Sequence, residues 1–578
     1  MRVLNAAGPR GKAIAMVATL SLLVFMILPG SLYLGNLDEF MTAPGALAGL
    51  LLIPALLSLV AVMIGLRLSR RKNLSLFSAV LAAITLLVWV QSYLLVRDYG
   101  LLDGSPIDWS TPAWRGWVDL STWIAGLTVA VVFHRRLEQP LTTAAFVVVA
   151  LQATMVFTSG LANRDILSVK ATRRAAANSL EAMARFSPER NVLHIVLDSF
   201  QADVFKDILE GPAGPHFRSA FTGFTFFEEH VGTFPATHFA LPAIVSGQVY
   251  RNHVPRPEFM ESVFQGKTIL NAAHDAGFEV DLASDPWMLE MLMKGRFDNA
   301  YLTAQFPQAE EAARLFDLAL FRLAPHWLKP HVYNDQRWLT QRLITQSDLM
   351  RFPYFTHNAF LANITQRLAA DREAPVYKFF HLMTTHSPLV VNPDCSYAGR
   401  MLVRIRASVT AQSQCSLAFV VALLNRMKQA AIYDHTLIVI MGDHGGHIPP
   451  HRYRPGIVVD GTHPYPLSPE AVAMATPLML VKPAGSTGPF RISSTLTSMT
   501  DTAATIDLLL GLGAGLPGGS MLDEGRHQTL ERRFYGYSWS GKDAVSDYIG
   551  TITEFTISGS AYDVQSWRPT GRFDGGER

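Results

Sequence analysis

Five long apolar stretches crowd into the first 161 residues, and they restrict what this part of the chain can fold into. They cover residues 13–34, 41–66, 74–96, 117–133 and 140–161. Each is long enough, or nearly so, to cross a bilayer as a helix, although the fourth is short and carries Asp119 near its start. A cleaved signal peptide would have a shorter apolar run, without four more behind it. We therefore predict a five-span transmembrane domain over residues 1–161.

Basic residues between the apolar stretches predict the direction of the spans. Arg and Lys precede the first span, join the second to the third and join the fourth to the fifth, within residues 2–12, 67–72 and 135–136. The alternate loops have few basic residues, so the positive-inside rule places the N-terminus in the cytoplasm. An odd number of spans then places everything after Leu161 on the outer side. An interfacial aromatic belt is predicted near the outer end of span four, at Trp109, Trp114, Trp117 and Trp123.

Beyond the spans the sequence pattern changes. Residues 162–190 are helix-forming and amphipathic, which predicts an interfacial linker helix or a solvated one. From residue 191, short apolar strands alternate with helical stretches, which predicts an exoplasmic α/β domain with a mostly parallel central sheet over residues 191–567. Residues 568–578 are rich in Gly, Arg and Asp and are predicted to be a disordered tail. No basic tract interleaved with aromatic residues occurs, so nucleic-acid binding is not predicted.

Three predicted strands lead into side chains that can bind a metal or a phosphate. The first ends at Asp198, the second runs into His386, and the third runs into Asp443 and His444. Because strand ends of a doubly wound sheet converge on one crevice, three such endings are hard to attribute to chance. Carboxylate oxygen and imidazole nitrogen together suit a divalent metal such as Zn²⁺ or Mn²⁺. A single ending of this kind would be explained equally well by a polar turn.

A threonine, Thr237, opens an apolar helical run that ends at Ser246 and Gly247. Threonine at a helix N-terminus ordinarily caps the helix. It can also act as a nucleophile, because the helix end and a nearby metal both stabilise its alkoxide. The residues alone leave both interpretations open.

Taken together, these motifs resemble the alkaline phosphatase/sulfatase superfamily. The matching segments are Leu197-Asp198, Thr237 to Pro242 with Ser246-Gly247, Thr385-His386-x-Pro388, Gly442-Asp443-His444-Gly445 and Gly461-Thr462-His463. They follow the order of the family, and with the five spans, the linker and the exported domain the resemblance covers nearly the whole chain. Within that superfamily, the chain most specifically resembles the membrane-anchored branch that contains lipid A phosphoethanolamine transferases, lipoteichoic acid synthases and related phosphoglycerol transferases.

The resemblance implies roles for particular residues. Four of them would hold a divalent metal, Zn²⁺ or Mn²⁺: Asp198, Thr237, Asp443 and His444. Thr237 would also be the nucleophile. His386 and His463 would contact the transferring group, and one of them would protonate the departing oxygen.

Thr233 is a rival nucleophile, because Thr233 to Thr237 imitates the Cys/Ser-x-Pro-Ser-Arg signature of sulfatases. In that family the nucleophile lies ten residues before the glycine that ends the helix, which is the spacing of Thr237 to Gly247 but not of Thr233. Thr237 is therefore preferred. Sulfatases of the formylglycine type need Cys or Ser at this position, and threonine cannot become formylglycine. The resemblance thus implies a covalent phospho-threonine.

The implied function is a metal-dependent transferase that moves a phospho-headgroup from a phospholipid donor to an envelope glycan or lipid acceptor. The headgroup would be of the phosphoethanolamine or phosphoglycerol type. The alternative is a hydrolase of the same family, a phosphodiesterase or sulfuric ester hydrolase, with water as the acceptor. A non-catalytic membrane-anchored module is a third hypothesis. Phosphoethanolamine transferases usually continue Asp-His-Gly with Glu-Ser, and this chain has Gly446-His447, so the headgroup stays open.

The resemblance further implies a bacterial-type inner (cytoplasmic) membrane, with the catalytic domain on the periplasmic or extracellular side. The two cysteines, Cys395 and Cys415, both lie in the predicted exported domain. An oxidising compartment would allow a disulfide between them. For a loop of that size the cross-link stabilises the fold by about 3 kcal/mol.

Overall fold

The computed structural model contains two compact units. The first comprises Met1–Thr172 and Gln305–Asp348, and the second comprises Arg173–Ala304 and Leu349–Arg578. The structure describes residues 8–37, 40, 42–68, 74–96, 99, 102, 107, 109–110, 114–164, 167, 179–303, 308–333, 338–344, 349, 352–460, 463–523, 530–538 and 546–575. Of the predicted linker helix, 162–190, residues 165–166 and 168–178 lie outside the described residues.

The helices are listed in chain order. They are α1 Pro9–Gly35, α2 Pro44–Leu68, α3 Leu74–Tyr93, α4 Trp114–Val132, α5 His134–Ala162, α6 Leu180–Ala184, α7 Ala202–Glu210, α8 Gly214–Ala220, α9 Thr237–Ser246, α10 Arg256–Gln265, α11 Ile269–Asp275, α12 Pro286–Leu292, α13 Gln308–Leu323, α14 Lys329–Tyr333, α15 Gln341–Ile344, α16 Pro353–Arg367, α17 Arg406–Gln429, α18 Pro469–Met474 and α19 Asp501–Leu510.

The strands follow the same convention. They are β1 Arg185–Phe186, β2 Asn191–Leu197, β3 Thr225–Phe227, β4 His230–Val231, β5 Glu279–Ser284, β6 Asn299–Leu302, β7 Ala369–Ala370, β8 Val376–Leu382, β9 Leu389–Val391, β10 Tyr397–Leu402, β11 Thr436–Met441, β12 Ile457–Asp460, β13 His463–Pro466, β14 Met479–Lys482, β15 Arg491–Ser493, β16 Thr497–Ser498, β17 Glu531–Gly536, β18 Ile552–Ser558 and β19 Trp567–Phe573.

The first unit contains the apolar helices α1 to α5, one for each predicted span, and this confirms the five-helix N-terminal region. Helices α1, α2, α3 and α5 are long and apolar enough to cross a membrane. Helix α4 is shorter, is less apolar and buries Asp119 near its start. Helix α1 widens into a π-helical turn at Leu23–Ile27, just before Pro29, which has no backbone N–H to donate.

The second unit is built on an eight-stranded sheet with the order β15-β3-β14-β11-β2-β8-β5-β6. Strands β11, β2, β8, β5 and β6 run parallel to one another, and β14 is antiparallel to both of its neighbours. The predicted α/β domain with a mostly parallel central sheet is therefore confirmed. Strands β2, β8 and β11 are buried along their whole length, as expected for parallel strands covered on both faces.

Helix α17 is also long and apolar enough to cross a membrane by length and composition. In the structure it belongs to the second unit instead. Its apolar residues join a core cluster of the second unit that also contains residues of β2, β8 and β11. The α17 members of this cluster are Leu417, Val420, Val421, Leu423, Leu424 and Met427. We therefore assign α17 to the catalytic core, since a spanning helix could not pack into this sheet.

Two expectations about the C-terminal half can be compared with the structure. The predicted disulfide is confirmed, because Cys395 and Cys415 are bonded. The disordered tail predicted from residue 568 is wrong as far as Phe573. Strand β19 covers Trp567–Phe573 and pairs with β18, and the ring of Trp567 packs on Phe534 and Phe555. An aromatic residue at the start of this stretch anchors it despite its polar composition.

Candidate active site

The ends of two adjacent parallel strands bring three predicted metal ligands together. Strands β2 and β11 pair with Val196 opposite Met441, so the residues that follow them emerge side by side. Asp198 follows β2, and Asp443 with His444 follows β11. Ligand atoms of these three side chains lie within 4.8 Å of one another, and all three are buried. They occupy the crevice at the carboxyl ends of the strands, where open α/β sheets bind ligands.

Backbone contacts hold the Asp443 and His444 side chains in place. Asp443 Oδ1 accepts hydrogen bonds from the N–H groups of Ser199, at 3.0 Å, and of His444, at 2.9 Å. His444 Nδ1 donates to the carbonyl oxygen of Gly445 at 2.8 Å, which leaves Nε2 as the atom that can bind a metal. The turn needs glycine at 445, because a Cβ there would lie 1.9 Å from the carbonyl oxygen of Ala473.

Thr237 lies at the start of α9, beside Asp198. Its hydroxyl Oγ1 donates to Asp198 Oδ2 at 3.3 Å, and the side chain is buried. The N-cap position of the helix is Ala236, and no side chain caps this end, so Thr237 does not act as the cap. The hydroxyl therefore lies next to the carboxylates at a helix N-terminus, where backbone N–H groups favour an anion.

The rival threonine, Thr233, has different surroundings. It is fully buried, and its hydroxyl donates to the Sδ atom of Met499 at 3.3 Å. Its carbonyl oxygen accepts a hydrogen bond from the backbone N–H of Tyr535 at 2.7 Å. These contacts are those of a structural side chain, and they favour Thr237 over Thr233.

Two site residues were missed by the sequence-based predictions. His381, inside β8, is fully buried, and its Nε2 lies 3.7 Å from Asp198 Oδ2 and 3.8 Å from Asp443 Oδ2. Asp285 follows β5, and its charge contributes to the raised pKa of His381. It also accepts a hydrogen bond at 3.1 Å from the N–H of Met288, in the first turn of α12. The strand-end rule that selected Asp198 applies equally to Asp285. His381 gave a weaker signal, a single histidine in an otherwise apolar strand.

The buried charges shift one another's protonation. Burial raises the pKa of the Asp443 carboxyl, but His444 and His381 lower it by more, so it lies well below its usual range. Burial lowers the pKa of His444, and Asp443 and Asp198 raise it above its ordinary value. Burial likewise lowers the pKa of His381, and the same two carboxylates raise it to about 9. The two imidazoles therefore keep the Asp443 carboxyl ionised, which is the form that binds a cation.

The donor set and its unsatisfied atoms fit a divalent metal. Within the described part of the chain, Asp443 Oδ2 and His381 Nε2 are buried polar atoms without a hydrogen-bond partner. Buried polar atoms are normally paired, so an orphaned carboxylate oxygen facing another carboxylate calls for a bound cation. The donor set consists of two carboxylates, one imidazole and an adjacent hydroxyl. Because Ca²⁺ and Mg²⁺ prefer ligands that are all oxygen, the imidazole nitrogen makes this set better suited to Zn²⁺ or Mn²⁺.

The loop that carries His386 is tied to the same place. Thr385 Oγ1 donates to the backbone carbonyl of Asp198 at 2.5 Å, next to the metal-ligand candidate. His386 itself is half-buried, and its Nδ1 donates to the carbonyl of Ser387 at 2.7 Å. The loop is thus held at the crevice, although no hydrogen bond or ion pair among the described residues joins the His386 side chain to the three clustered ligands.

One guanidinium and neighbouring imidazoles lie beside this loop. Arg404 Nη2 donates to Ser387 Oγ at 2.8 Å. Burial lowers the pKa of His447 to about 4, assisted by the charges of Arg404, His444 and His386. A concentration of cationic and imidazole groups around a crevice favours an anionic substrate.

The last predicted motif can be placed only in part. Gly461 and Thr462 lie outside the described residues. His463 begins strand β13, with its backbone paired opposite Asp460, and its side chain is outside the described part of the structure. The predicted role of His463 therefore stays a prediction.

Comparison with known proteins agrees with this geometry. The family model named Sulfatase matches residues 190–512, more than half of the chain. No curated protein sequence matches the chain. The structural likenesses include the lipoteichoic acid synthase LtaP from Listeria monocytogenes, at 11% identity, with 64% of this chain and 85% of that chain covered and a TM-score of 0.37.

Two further solved structures share this level of likeness. One is the C-terminal periplasmic domain of EcEptC from Escherichia coli in complex with Zn, at 13% identity, covering 60% of this chain and 89% of that chain with a TM-score of 0.36. The other is the phosphonate monoester hydrolase of Agrobacterium radiobacter, at 14% identity, covering 67% and 89% with a TM-score of 0.39. The match of the family model over the whole strand-end site carries the assignment. The chain belongs to the sulfatase family of enzymes.

Proposed function

We propose that this protein is a membrane-anchored, metal-dependent transferase that moves a phospho-headgroup from a phospholipid to an envelope glycan or lipid. The headgroup is of the phosphoethanolamine or phosphoglycerol type, and it passes through a covalent phospho-threonine at Thr237. One observation carries the proposal: the Thr237 hydroxyl lies 3.3 Å from Asp198 Oδ2, beside a carboxylate and imidazole cluster suited to a metal. The apolar N-terminal helices support a lipid donor, because they hold the enzyme at a bilayer.

The proposed organisation follows the sequence. Residues 1–161 span a bacterial-type inner membrane, 162–190 connect, and 191–567 carry the catalytic domain on the periplasmic or extracellular side. A disulfide between Cys395 and Cys415 suits such an oxidising compartment.

In the proposed metal site, Asp198, Asp443, His444 and Thr237 hold Zn²⁺ or Mn²⁺. When bound, the metal supplies Lewis-acid chemistry that lowers the pKa of the threonine hydroxyl and neutralises charge on the phosphoryl group. Thr237 Oγ1 is already directed at Asp198 Oδ2, which accepts its hydrogen bond and can take its proton. The N-terminus of α9 favours the anionic group that Thr237 attacks.

The transfer takes place in two balanced steps. In the first, Thr237 Oγ1 bonds to phosphorus while the bond between phosphorus and the diacylglycerol oxygen breaks. The departing oxygen takes a proton from His386 or His463, and diacylglycerol leaves. In the second, an acceptor hydroxyl oxygen bonds to phosphorus while the bond between phosphorus and Thr237 Oγ1 breaks. The acceptor's proton passes to the imidazole that gave one up, and Asp198 returns the proton that it took from Thr237, which restores the threonine hydroxyl.

Hydrolysis is the alternative, with water replacing the acceptor hydroxyl in the second step. The family to which the chain belongs supports it in general. A formylglycine sulfatase is disfavoured, because Thr237 stands at the nucleophile position and both cysteines are joined in the disulfide. A covalent phospho-threonine is compatible with either acceptor.

The experiment incubates the purified full-length enzyme with headgroup-labelled phospholipids and follows diacylglycerol release and labelled peptides. We expect a headgroup adduct on Thr237. Thr237→Ala should remove it, whereas the matched variant Thr233→Ala should keep it, because the Thr233 hydroxyl contacts Met499 instead. No adduct from any phospholipid, together with hydrolysis of a sulfate ester, would falsify the transferase. An adduct that only water discharges, with every envelope fraction tested, would select the hydrolase.

A further inference from the structure

Residues 308–333 and 338–344 interrupt the catalytic domain and associate with the apolar helices. They lie inside the segment matched by the sulfatase family model, yet Gln305–Asp348 belong to the unit that contains α1 to α5. We call this segment the excursion, and the residues at its two ends meet at one point of the second unit. Thr303 Oγ1 lies 3.1 Å from His357 Nε2, and α16 begins at Pro353, one helical turn earlier. Described residues just before and just after the excursion are therefore in contact with each other within the second unit.

Apolar contacts place α13 among three or more of the N-terminal helices. Ala319 packs in a cluster with residues of α1, α3 and α5: Leu23, Ile27, Leu28, Val88 and Val149. Leu315 and Ala312 pack with Tyr33 of α1 and Leu47 of α2. The Phe316 ring stacks on Phe25 of α1, with ring centroids 5.0 Å apart. Helix α13 is thus an integral member of the apolar bundle.

Polar contacts lock the excursion onto particular helix ends. Glu311 accepts a hydrogen bond at 2.7 Å from the N–H of Thr42, just before α2. Arg322 Nε donates at 2.8 Å to the carbonyl of Ser92, in the last turn of α3, where unpaired carbonyls favour a cation.

A third lock joins the excursion to α4. Asp119 Oδ2, near the start of that helix, accepts a hydrogen bond at 2.8 Å from the N–H of His326. The start of α2, the end of α3 and the start of α4 share one side of the membrane, and the positive-inside rule assigns that side as the outer one. The excursion follows residue 161 in the chain, and the same rule predicts the outer side for it.

A short 3₁₀ turn at His326–Leu328 completes an exposed apolar surface. We call it the tryptophan patch, and it consists of Trp114, Trp117, Trp327 and Leu328. Their exposed fractions are 60%, 62%, 41% and 54%. Trp327 packs edge-to-face on Trp117, with ring centroids 4.9 Å apart, and lies directly over Gly116, where a Cβ would come within 2.4 Å of its ring.

The patch continues the exposed apolar side of α4. Further exposed apolar residues of that helix are Val118, Ile124, Val129, Val131 and Val132. A side chain with an apolar body and one N–H, such as tryptophan, is favoured at the headgroup level of a bilayer. Outer-leaflet phospholipid is thus the environment that suits both the patch and its position at the outer helix ends.

We propose that residues 308–333 and 338–344 form a re-entrant membrane element, with α13 seated in the outer half of the bundle and the tryptophan patch immersed in the headgroup region of the outer leaflet. The element makes the catalytic sequence itself part of the membrane unit. This inference depends on the membrane location alone and holds for a transferase or a hydrolase equally.

The test measures the emission of Trp327 in the full-length protein reconstituted in phosphatidylcholine and phosphatidylglycerol nanodiscs. Subtracting the spectrum of Trp327→Phe from that of the wild type isolates this residue. We expect lipids brominated near the headgroup to quench the difference emission by about half, and more strongly than lipids brominated near the chain end. Trp567→Phe provides the control, because Trp567 is buried in the C-terminal sheet and its emission should not respond to brominated lipid.

A substitution beneath the ring sharpens the test. Gly116→Leu should displace Trp327, reduce its quenching by brominated lipid and raise its quenching by iodide. The matched variant Gly49→Leu, at a helical glycine with open space around it, should leave both unchanged. Quenching of wild-type Trp327 by iodide and not by brominated lipid would overturn the proposal. Insensitivity to both quenchers would also overturn it, because it would mean that protein covers the patch.

Discussion

Strand β8 carries two clusters of buried charge that differ in how they are neutralised. Lys378 and His381 are three positions apart on the strand, so their side chains point to opposite faces of the sheet. Lys378 Nζ lies 2.5 Å from Asp281 Oδ2, and Asn299 donates to Asp281 Oδ1 at 2.9 Å. Arg372 also pairs with Asp281, with its Nη1 3.1 Å from Oδ2. Each oxygen of this carboxylate therefore has partners within the protein.

The second cluster is left incomplete. His381 Nε2 is 3.7 Å from Asp198 and 3.8 Å from Asp443, outside hydrogen-bond distance of either. Asp443 Oδ2 has no hydrogen-bond partner among the described residues. A buried pair that satisfies itself supports the fold, whereas buried carboxylates that face each other unsatisfied require a ligand. Structural charge and functional charge are thus separated on one strand, and substitutions in either cluster should affect stability and metal binding differently.

The largest effect is expected from Asp443→Asn. The amide keeps the shape of the side chain but removes the charge and the orphaned oxygen acceptor that attract a cation. We expect metal content to fall to background and activity to fall by about 10⁴-fold, because several kcal/mol of barrier lowering are lost. Elemental analysis and turnover of labelled phospholipid measure the two quantities.

The control for this variant is its stability without metal. His444 and His381 favour the ionised form of Asp443, so the neutral amide should lower the melting temperature in chelator somewhat, while the variant stays folded. Full metal content in the Asp443→Asn variant would contradict the metal assignment.

The next effect is expected from Asp281→Ala, on the other face of β8. It leaves the buried ammonium of Lys378 and the guanidinium of Arg372 without their shared partner, which costs about 3–5 kcal/mol of unfolding free energy. Pulse proteolysis in urea measures it. The double variant Asp281→Asn with Lys378→Met should lose less, because it removes the stranded ammonium. Unchanged unfolding stability together with loss of bound metal would show that the Asp281 cluster serves the metal and not the fold.

Metal removal should affect only the incomplete cluster. Metal at about 100 times its dissociation constant adds about 2.7 kcal/mol to the stability of the folded state. A chelator should therefore lower the melting temperature of the wild type and of the Asp281→Asn, Lys378→Met variant. It should leave the melting temperature of the Asp443→Asn variant unchanged. Equal shifts in all three proteins would show that the metal acts elsewhere.

The same contrast explains how much of the site the sequence could predict. Asp198 and Asp443 follow runs of apolar residues, so strand ends and a shared crevice were readable from the pattern alone. Asp285 obeys the same rule, but its strand, Glu279–Ser284, contains Glu279 and Asp281 and does not stand out as apolar. The charge of Asp281 can be buried in a strand because Lys378 and Arg372 neutralise it, and both of these residues are distant in sequence.

His381 and the membrane excursion were hidden for related reasons. A histidine within an apolar strand is more often a buried core residue, and only the register of β8 against β2 shows which carboxylates it faces. Helix α13 carries Glu310, Glu311 and Asp317, which argue against membrane burial when considered alone. Their partners, such as Thr42 for Glu311 and the backbone of Gln341 for Asp317, exist only in the folded chain. Pairings across long sequence separations are what the pattern of one sequence does not contain.

The smallest effect is expected from Ser284→Ala, which changes the support of His381 and not the carboxylates themselves. Ser284 Oγ lies 3.3 Å from His381 Nδ1, and both side chains are buried. Without the hydroxyl the imidazole loses the contact that orients it toward Asp198 and Asp443. Metal affinity should weaken by about 10-fold, or about 1.4 kcal/mol, as measured by competition with a chromogenic chelator.

Two variants make this small effect decisive. Ser284→Thr keeps a hydroxyl on the strand and should restore the affinity. Asn299→Ala removes a hydrogen bond to the Asp281 carboxylate in the paired cluster, so it should lower unfolding stability by about 2 kcal/mol and leave metal affinity unchanged. If both alanine variants weakened metal binding equally, the two faces of β8 would be one coupled network, and the unsatisfied atoms would not by themselves identify the functional face.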